Sequence, residues 1–141
     1  MQTFFMTDRE AYDELCCYTL SKGDVEFIHQ HVVDAFAAQT ATADDKPIKL
    51  TFALIGLYLH LEHGFSGREV QLAHMKLARS KREWPRFELP EGRGEMTARD
   101  VLQRSDKQPA ILDWCRCVWS KYVDQQLIVK EILRQSEIVE R

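Results

Sequence analysis

Four of the five histidines of this chain fall in two short runs, His29-Gln30-His31 and His60-Leu61-Glu62-His63, each with a carboxylate nearby. Imidazoles gathered around a polar space hold a first-row metal, and a metal with one open position acidifies its bound water into a nucleophile. Without a metal, imidazole and carboxylate together are the material of acid–base chemistry. Which rings share a face decides between them. On a helix turning about 100° per residue, His29 and His31 point nearly opposite ways. His31 falls among Phe27, Ile28, Ala35 and Ala38 and is expected to look inward, with Asp34 three residues on to orient it. His29 falls on the other flank, exposed or at a helix interface. His60 and His63 share a stripe with Ala53 and Gly56, and His74 aligns with Val70 and Ala78.

The candidate metal ligands are therefore His31, His60, His63 and His74, with a divalent metal as the implied cofactor and Asp34 as candidate catalytic base or orienting carboxylate. The competing expectation is structural. In it His31 and His74 bond a carbonyl or Asp34, while His60 and His63 close a helix, where the dipole favours imidazolium by roughly 0.3–1 kcal/mol.

Local signals predict the elements that position these residues. Thr7-Asp8-Arg9-Glu10 reads as a capping box opening a helix to about Ser21, which Gly23 ends. Asp24 is placed to cap a second helix through about Ala41. Pro47 suits the first turn of a third, ending near His63 before Gly64. Ser66-Gly67-Arg68-Glu69 opens a fourth, to about Arg82. Thr97 to Asp100 begins a short helix, and Ser105 to Gln108 starts the last, with Pro109 in its first turn. No stretch alternates apolar and polar strongly enough to compete, so the fold class is all-α.

From Leu50 to Leu61 apolar residues cover nearly the whole circumference, as expected of a buried central helix. The 141 residues fit one domain, and such a chain buries about 70% of its unfolded surface without staples. The expectation is a compact single-domain bundle of about five or six helices.

Residues 83–96, EWPRFELPEGRGEM, carry two prolines and two glycines that forbid a regular helix, while Trp84, Phe87 and Leu89 call for burial. The segment reads as a strap over the bundle or as a docking loop, with Trp84, Phe87 and Arg86 the candidate partner-binding residues. Arg68, Lys76, Arg79, Lys81, Arg82 and Arg86 concentrate positive charge nearby. A net charge of −3 nevertheless gives no general attraction to nucleic acid or acidic lipid.

The opening MQTFFMTDREAYDEL lacks a basic start followed by an apolar run, so no signal peptide is expected. Leu50–Leu61 is too short to span a bilayer. Reduced thiols and a cytoplasmic location follow as expectations. Cys115 and Cys117 point about 200° apart on a helix and cannot clasp one ion; Cys115 belongs to the face of Ile111, Val118, Trp119 and Tyr122.

The segments FIHQHVVDAFAAQ, KPIKLTFALIGLYLHLEHGFSGREVQ and WPRFELPEGRGEMTARDV resemble a bacterial family of small proteins known as a domain of unknown function, over about Asp13 to Trp119. The resemblance implies a helical cytoplasmic protein and transfers no catalytic residue. In length and helicity the chain is also similar to DinB-like bundles, which hold a metal with three histidines. It differs from them in having no His-x-x-x-His pair and no histidine after His74. The functional expectation is a non-catalytic helical protein that binds a partner or itself, with homodimerisation through surplus aromatic surface. The alternative is a small metal-dependent enzyme built on the histidine cluster.

Overall fold

A computed structural model describes residues 6–138 of the chain. Seven α-helices run in order: α1 Asp8–Ser21, α2 His29–Gln39, α3 Pro47–His63, α4 Gly67–Ala78, α5 Ala98–Gln103, α6 Lys107–Trp119 and α7 Gln126–Gln135. A 3₁₀ turn, Val123–Gln125, precedes α7. Among the described residues there is no strand, so the chain is all-α, and no helix is long and apolar enough to cross a membrane. Residues 1–5, the start of the stretch read for a leader, lie outside the described residues.

Where the helix signals are local, the helices begin and end on them. Thr7 accepts from the Glu10 amide and Glu10 reaches back to the Thr7 amide. Ser66 and Glu69 repeat the exchange at α4, and Asp100 accepts from the Thr97 amide at α5. Pro47 occupies the first turn of α3, and Gly64 closes it at φ 68°. That left-handed backbone costs glycine nothing, and it lets the Gly64 amide reach back to His60 and the Phe65 amide to Leu59.

Three boundaries differ from expectation. Asp24 does not cap a helix directly: its carboxylate accepts from the Glu26 and Ile28 amides and ties residues 24–28 into a turn. Helix α2 starts only at His29 as a result. Helix α4 stops at Ala78 rather than near Arg82, and the last expected helix is two, because the chain turns at Ser120–Tyr122 before α7. Among the described residues the tally is seven helices rather than five or six.

The core is one cluster to which every helix contributes. Nine residues of α3 between Leu50 and Leu59 are buried, and the helix packs against α2, α4, α6 and α7. The apolar face of α6 (Ile111, Cys115, Val118, Trp119) is buried, with Tyr122 just beyond it. Residues 83–96 form no helix, and Trp84, Phe87 and Leu89 lie half-buried against the core. Arg93 pins this segment to the end of α2, its guanidinium donating to the carbonyls of Gln39 and Ala41. Gln39 returns a bond to the Met96 carbonyl at 2.7 Å and accepts from the Trp114 indole.

Candidate functional site

Helices α2 and α3 face each other in opposite directions. His31 lies on His60, and Asp34, one turn further along α2, lies over Gly56, one turn back along α3. The His31 and His60 rings stack face to face, centroids 3.5 Å apart and planes 15° from parallel. His60 donates through Nδ1 to the Phe65 carbonyl at 2.9 Å, leaving Nε2 with its lone pair. His31 is only 5% exposed, yet no hydrogen bond reaches its ring among the described residues. Burial, reinforced by the adjacent His60, pushes its pKa down to about 3. Burial also lowers the pKa of His60, against the Phe65 bond that raises it, and the Arg116 charge adds to the lowering. Both rings are neutral at pH 7.

The pair lines a cleft of about 510 Å³. Its walls are the 24–28 turn, the α3–α4 connection at 64–67 and the start of α6 from Asp106 to Leu112. The first two walls are locked together. Gly67 lies so close to the Phe27 carbonyl that a Cβ there would stand 1.8 Å from its oxygen, and the Arg68 amide donates to Glu26. Phe27 is held at φ 57°, a left-handed conformation costing a residue with a side chain roughly 1–2 kcal/mol. Strain of this kind persists where the surroundings over-determine it, and here it edges the cleft.

Asp34 sits beneath. Its side chain is fully buried; Gln30 donates to Oδ1, while Oδ2 has no partner among the described residues. Burial raises its pKa well above the ordinary carboxylate value, against the Gln30 bond, and so disfavours the charged form. Gly56 makes room for it: a Cβ at that position would be 1.9 Å from Oδ2. The stripe of Ala53, Gly56 and His60 thus seats a carboxyl as well as a neighbouring helix. Cys115 is buried beside the same group and donates weakly to the His31 carbonyl, and burial raises its thiol pKa.

The remaining histidines go elsewhere. His74 donates through Nε2 to the Phe52 carbonyl at 2.8 Å and stacks on the Phe52 ring. Phe52 lies eight residues before His60, about 12 Å along the helix axis, so adjacency of α3 and α4 does not bring His74 to the cleft. His63 is exposed and meets the Tyr58 hydroxyl through Nε2 at 2.9 Å. His60 and His63, expected on one face, divide between the α2 and Tyr58 sides of α3. His29 is at a helix interface, 2.9 Å from the Thr19 hydroxyl of α1. Among the described residues no three histidine, cysteine or acidic side chains group as metal ligands would, so His31, His60, His63 and His74 do not converge.

This architecture has a family. The chain belongs to a family of unknown function (DUF5946), matched over residues 9–123. The match includes α1 from its second residue, α2 to α6 and every lining residue of the cleft, and it extends slightly past the resemblance read from Asp13 to Trp119. No curated protein and no solved structure matches the chain.

Two parts of the site were missed in sequence. The Asp24–Ile28 turn forms one wall, and its signal is Asp24 two and four residues before amides it can cap, next to Gly23. Asp106 and Gln108 at the start of α6 form another, with no signal beyond their place before a helix. Trp84 meets the Phe52 ring edge-on at 5.1 Å, with the Arg82 guanidinium over its own ring. Arg86 donates to the Ala43 carbonyl, and Phe87 lines a separate cleft with Leu50.

Proposed function

We propose that this protein is a non-catalytic binding module whose ligand is a small molecule received by the His31–His60 cleft. The observation that carries the reading is His31: an almost fully buried ring, aimed at a cleft it lines, with no partner for either nitrogen among the described residues. Its unbonded nitrogens are not sealed from solvent and open on the cleft, where a ligand group would replace water as their partner. The volume of about 510 Å³ falls within the range that holds small ligands. Strain at Phe27 and the close seating of Gly67 support a site kept at the expense of local stability.

The metal-dependent alternative draws less support. Rings lying flat on each other at 3.5 Å send their lone pairs out side by side rather than toward one ion. The only hydroxyl in the lining, Ser66, is engaged in its helix cap. Asp34 lies below the ring pair and is absent from the lining.

The test is a fragment screen read on selectively labelled histidine ring resonances. A ligand of the cleft shifts His31 and His60 and leaves His29 and His74 in place. Gln108→Trp, at an exposed lining position, is expected to block it. A screen in which hits move all five rings alike, or none, sinks the reading.

A second reading, self-association, is favoured by one observation. Val123, Leu127 and Ile128 are exposed together around the start of α7, and the latter two line a groove of about 570 Å³ with Trp84. Leu127→Glu is expected to shift a dimer toward monomer in light scattering; a wild-type chain monomeric at high concentration removes this reading. Trp84 is the sequence-predicted partner residue in that groove, and Arg86 and Phe87 lie outside it.

A further inference from the structure

The chemistry lining the cleft selects among small molecules. We propose that it takes an organic cation, a primary amine or amidine carried on a small apolar body; this rests on the cleft being the ligand site. Three carboxylates border it, Asp24, Glu26 and Asp106, and no lysine or arginine is among its lining residues. Asp24 is partly engaged by the amides of its own turn, whereas the side chains of Glu26 and Asp106 make no hydrogen bond among the described residues and are free to meet a charge. The floor adds acceptors. His60 Nε2 retains a lone pair because Nδ1–H is given to Phe65, and neutral His31 presents one acceptor nitrogen in either tautomer. Ile28, Phe65, Pro109 and Leu112 supply the apolar wall for the rest of the molecule.

An anion is disfavoured by the same geometry. The start of α4 is the nearest source of backbone donors, and there the amides of Ser66, Arg68, Glu69 and Val70 are already bonded within the protein, which leaves only that of Gly67 among the described residues. At the start of α6 the Lys107 and Gln108 amides are uncapped, but Asp106 places a negative charge beside them and Pro109 offers no N–H. Arg116, whose charge acts on His60, is not among the lining residues. A bare metal ion would need the stacked rings to rotate apart.

The experiment titrates the full-length chain with four probes of one size: benzylamine, benzamidine, benzyl alcohol and benzoate. Zinc chloride is titrated separately, and histidine ring resonances are followed throughout. Benzylamine and benzamidine are expected to shift His31 and His60 in the millimolar range, more strongly than the alcohol and with benzoate last. Glu26→Gln and Asp106→Asn should each weaken them by roughly two- to fivefold, an effect fading with added salt. Both variants keep the backbone geometry, since asparagine serves as well as aspartate before a helix. Benzoate or benzyl alcohol binding as tightly as the amine overturns the cation proposal while leaving the cleft as the ligand site. Stoichiometric zinc on the His31 and His60 resonances, with no response to the amines, overturns it in favour of a metal. If none of the probes moves either ring, the cation proposal falls on its own, because the broader fragment screen can still find a ligand of other chemistry.

Discussion

Two stacked imidazoles lie against α3, and they are held in different ways. His74 rests on Phe52 with ring centroids 4.8 Å apart, donates to the Phe52 carbonyl, and has Trp84 closing the far side of the same phenyl ring. His31 rests on His60 at 3.5 Å with no bond to either nitrogen among the described residues. The first is a finished piece of packing: aromatic area, one hydrogen bond, nothing left over. The second is unfinished, and its missing partners face a cleft. Burial depresses both histidines, so a lowered pKa alone does not separate a core residue from a site residue. The accounting of ring nitrogens does.

The largest expected effects concern what seats the open pair. Gly56→Ala would drive a methyl to within 1.9 Å of Asp34 Oδ2 and 3.2 Å of Val70, inside a packed core. We expect a loss of about 3 kcal/mol in urea unfolding. If Asp34 is the obstacle, Asp34→Ala in the same chain should return more than half of it, a coupling that a double-mutant cycle isolates. Additive losses would mean that the glycine serves something other than the carboxyl.

The closed pair comes next. His74→Ala removes a stack worth roughly 0.5–1.5 kcal/mol and a hydrogen bond of similar size, so a loss of about 2 kcal/mol is expected. His31→Phe should differ in kind. It keeps an aromatic ring on His60 and removes nitrogens that make no bonds, so stability should stay within about 1 kcal/mol of wild type while ligand response disappears. If His31→Phe costs as much as His74→Ala, the ring has a partner in solution and the comparison collapses.

Acid sharpens the same contrast. A histidine at about 3 folded and near its ordinary 6.5 unfolded makes the unfolded chain bind more protons between those values. Stability from this source is complete above pH 6.5 and is lost as pH falls toward 3. His31 alone should contribute a loss of about 2 kcal/mol by around pH 5. His60, His74 and His29 shift the same way and steepen the fall. Asp34 opposes them. With its pKa raised above 3.8, its contribution is complete below that value and is lost as pH rises toward the folded value. Thermal melts across pH should therefore flatten on the acid side in His31→Phe and steepen there in Asp34→Asn.

These features were unevenly legible in sequence, for a physical reason. Capping boxes and the glycine stop at Gly64 are local, and each appears where it was read. The inward turn of His31 was legible too, from its alanine neighbours, as was a carbonyl partner for His74. The stack itself was not, because it depends on the register in which α2 crosses α3, set by Asp34 meeting Gly56. Nor was the division of His60 from His63: a turn of about 300° between them leaves a margin of about 60°, enough to send one to α2 and the other to Tyr58. Arg93 between Gly92 and Gly94 read as part of a loop, whereas two of its three carbonyl partners are more than fifty residues earlier. Long-range partners of polar side chains are what a single sequence withholds.

The smallest expected effect belongs to His63, and it tests the division most directly. His63 ends α3, is exposed, and meets Tyr58 through its hydroxyl and edge-on to its ring. Tyr58 itself is buried and keeps the Trp119 ring and the Lys130 ammonium against it without His63. The hydroxyl left behind can turn to water, so no buried polar group is orphaned. His63→Ala should therefore cost less than about 0.5 kcal/mol in urea unfolding, the ordinary range for a surface site. It should also leave the amine-induced shifts of His31 and His60 unchanged. A variant that keeps its stability but loses the amine response would return His63 to the site, and the boundary between the open and closed histidines of α3 would have to be redrawn at its C-terminal turn.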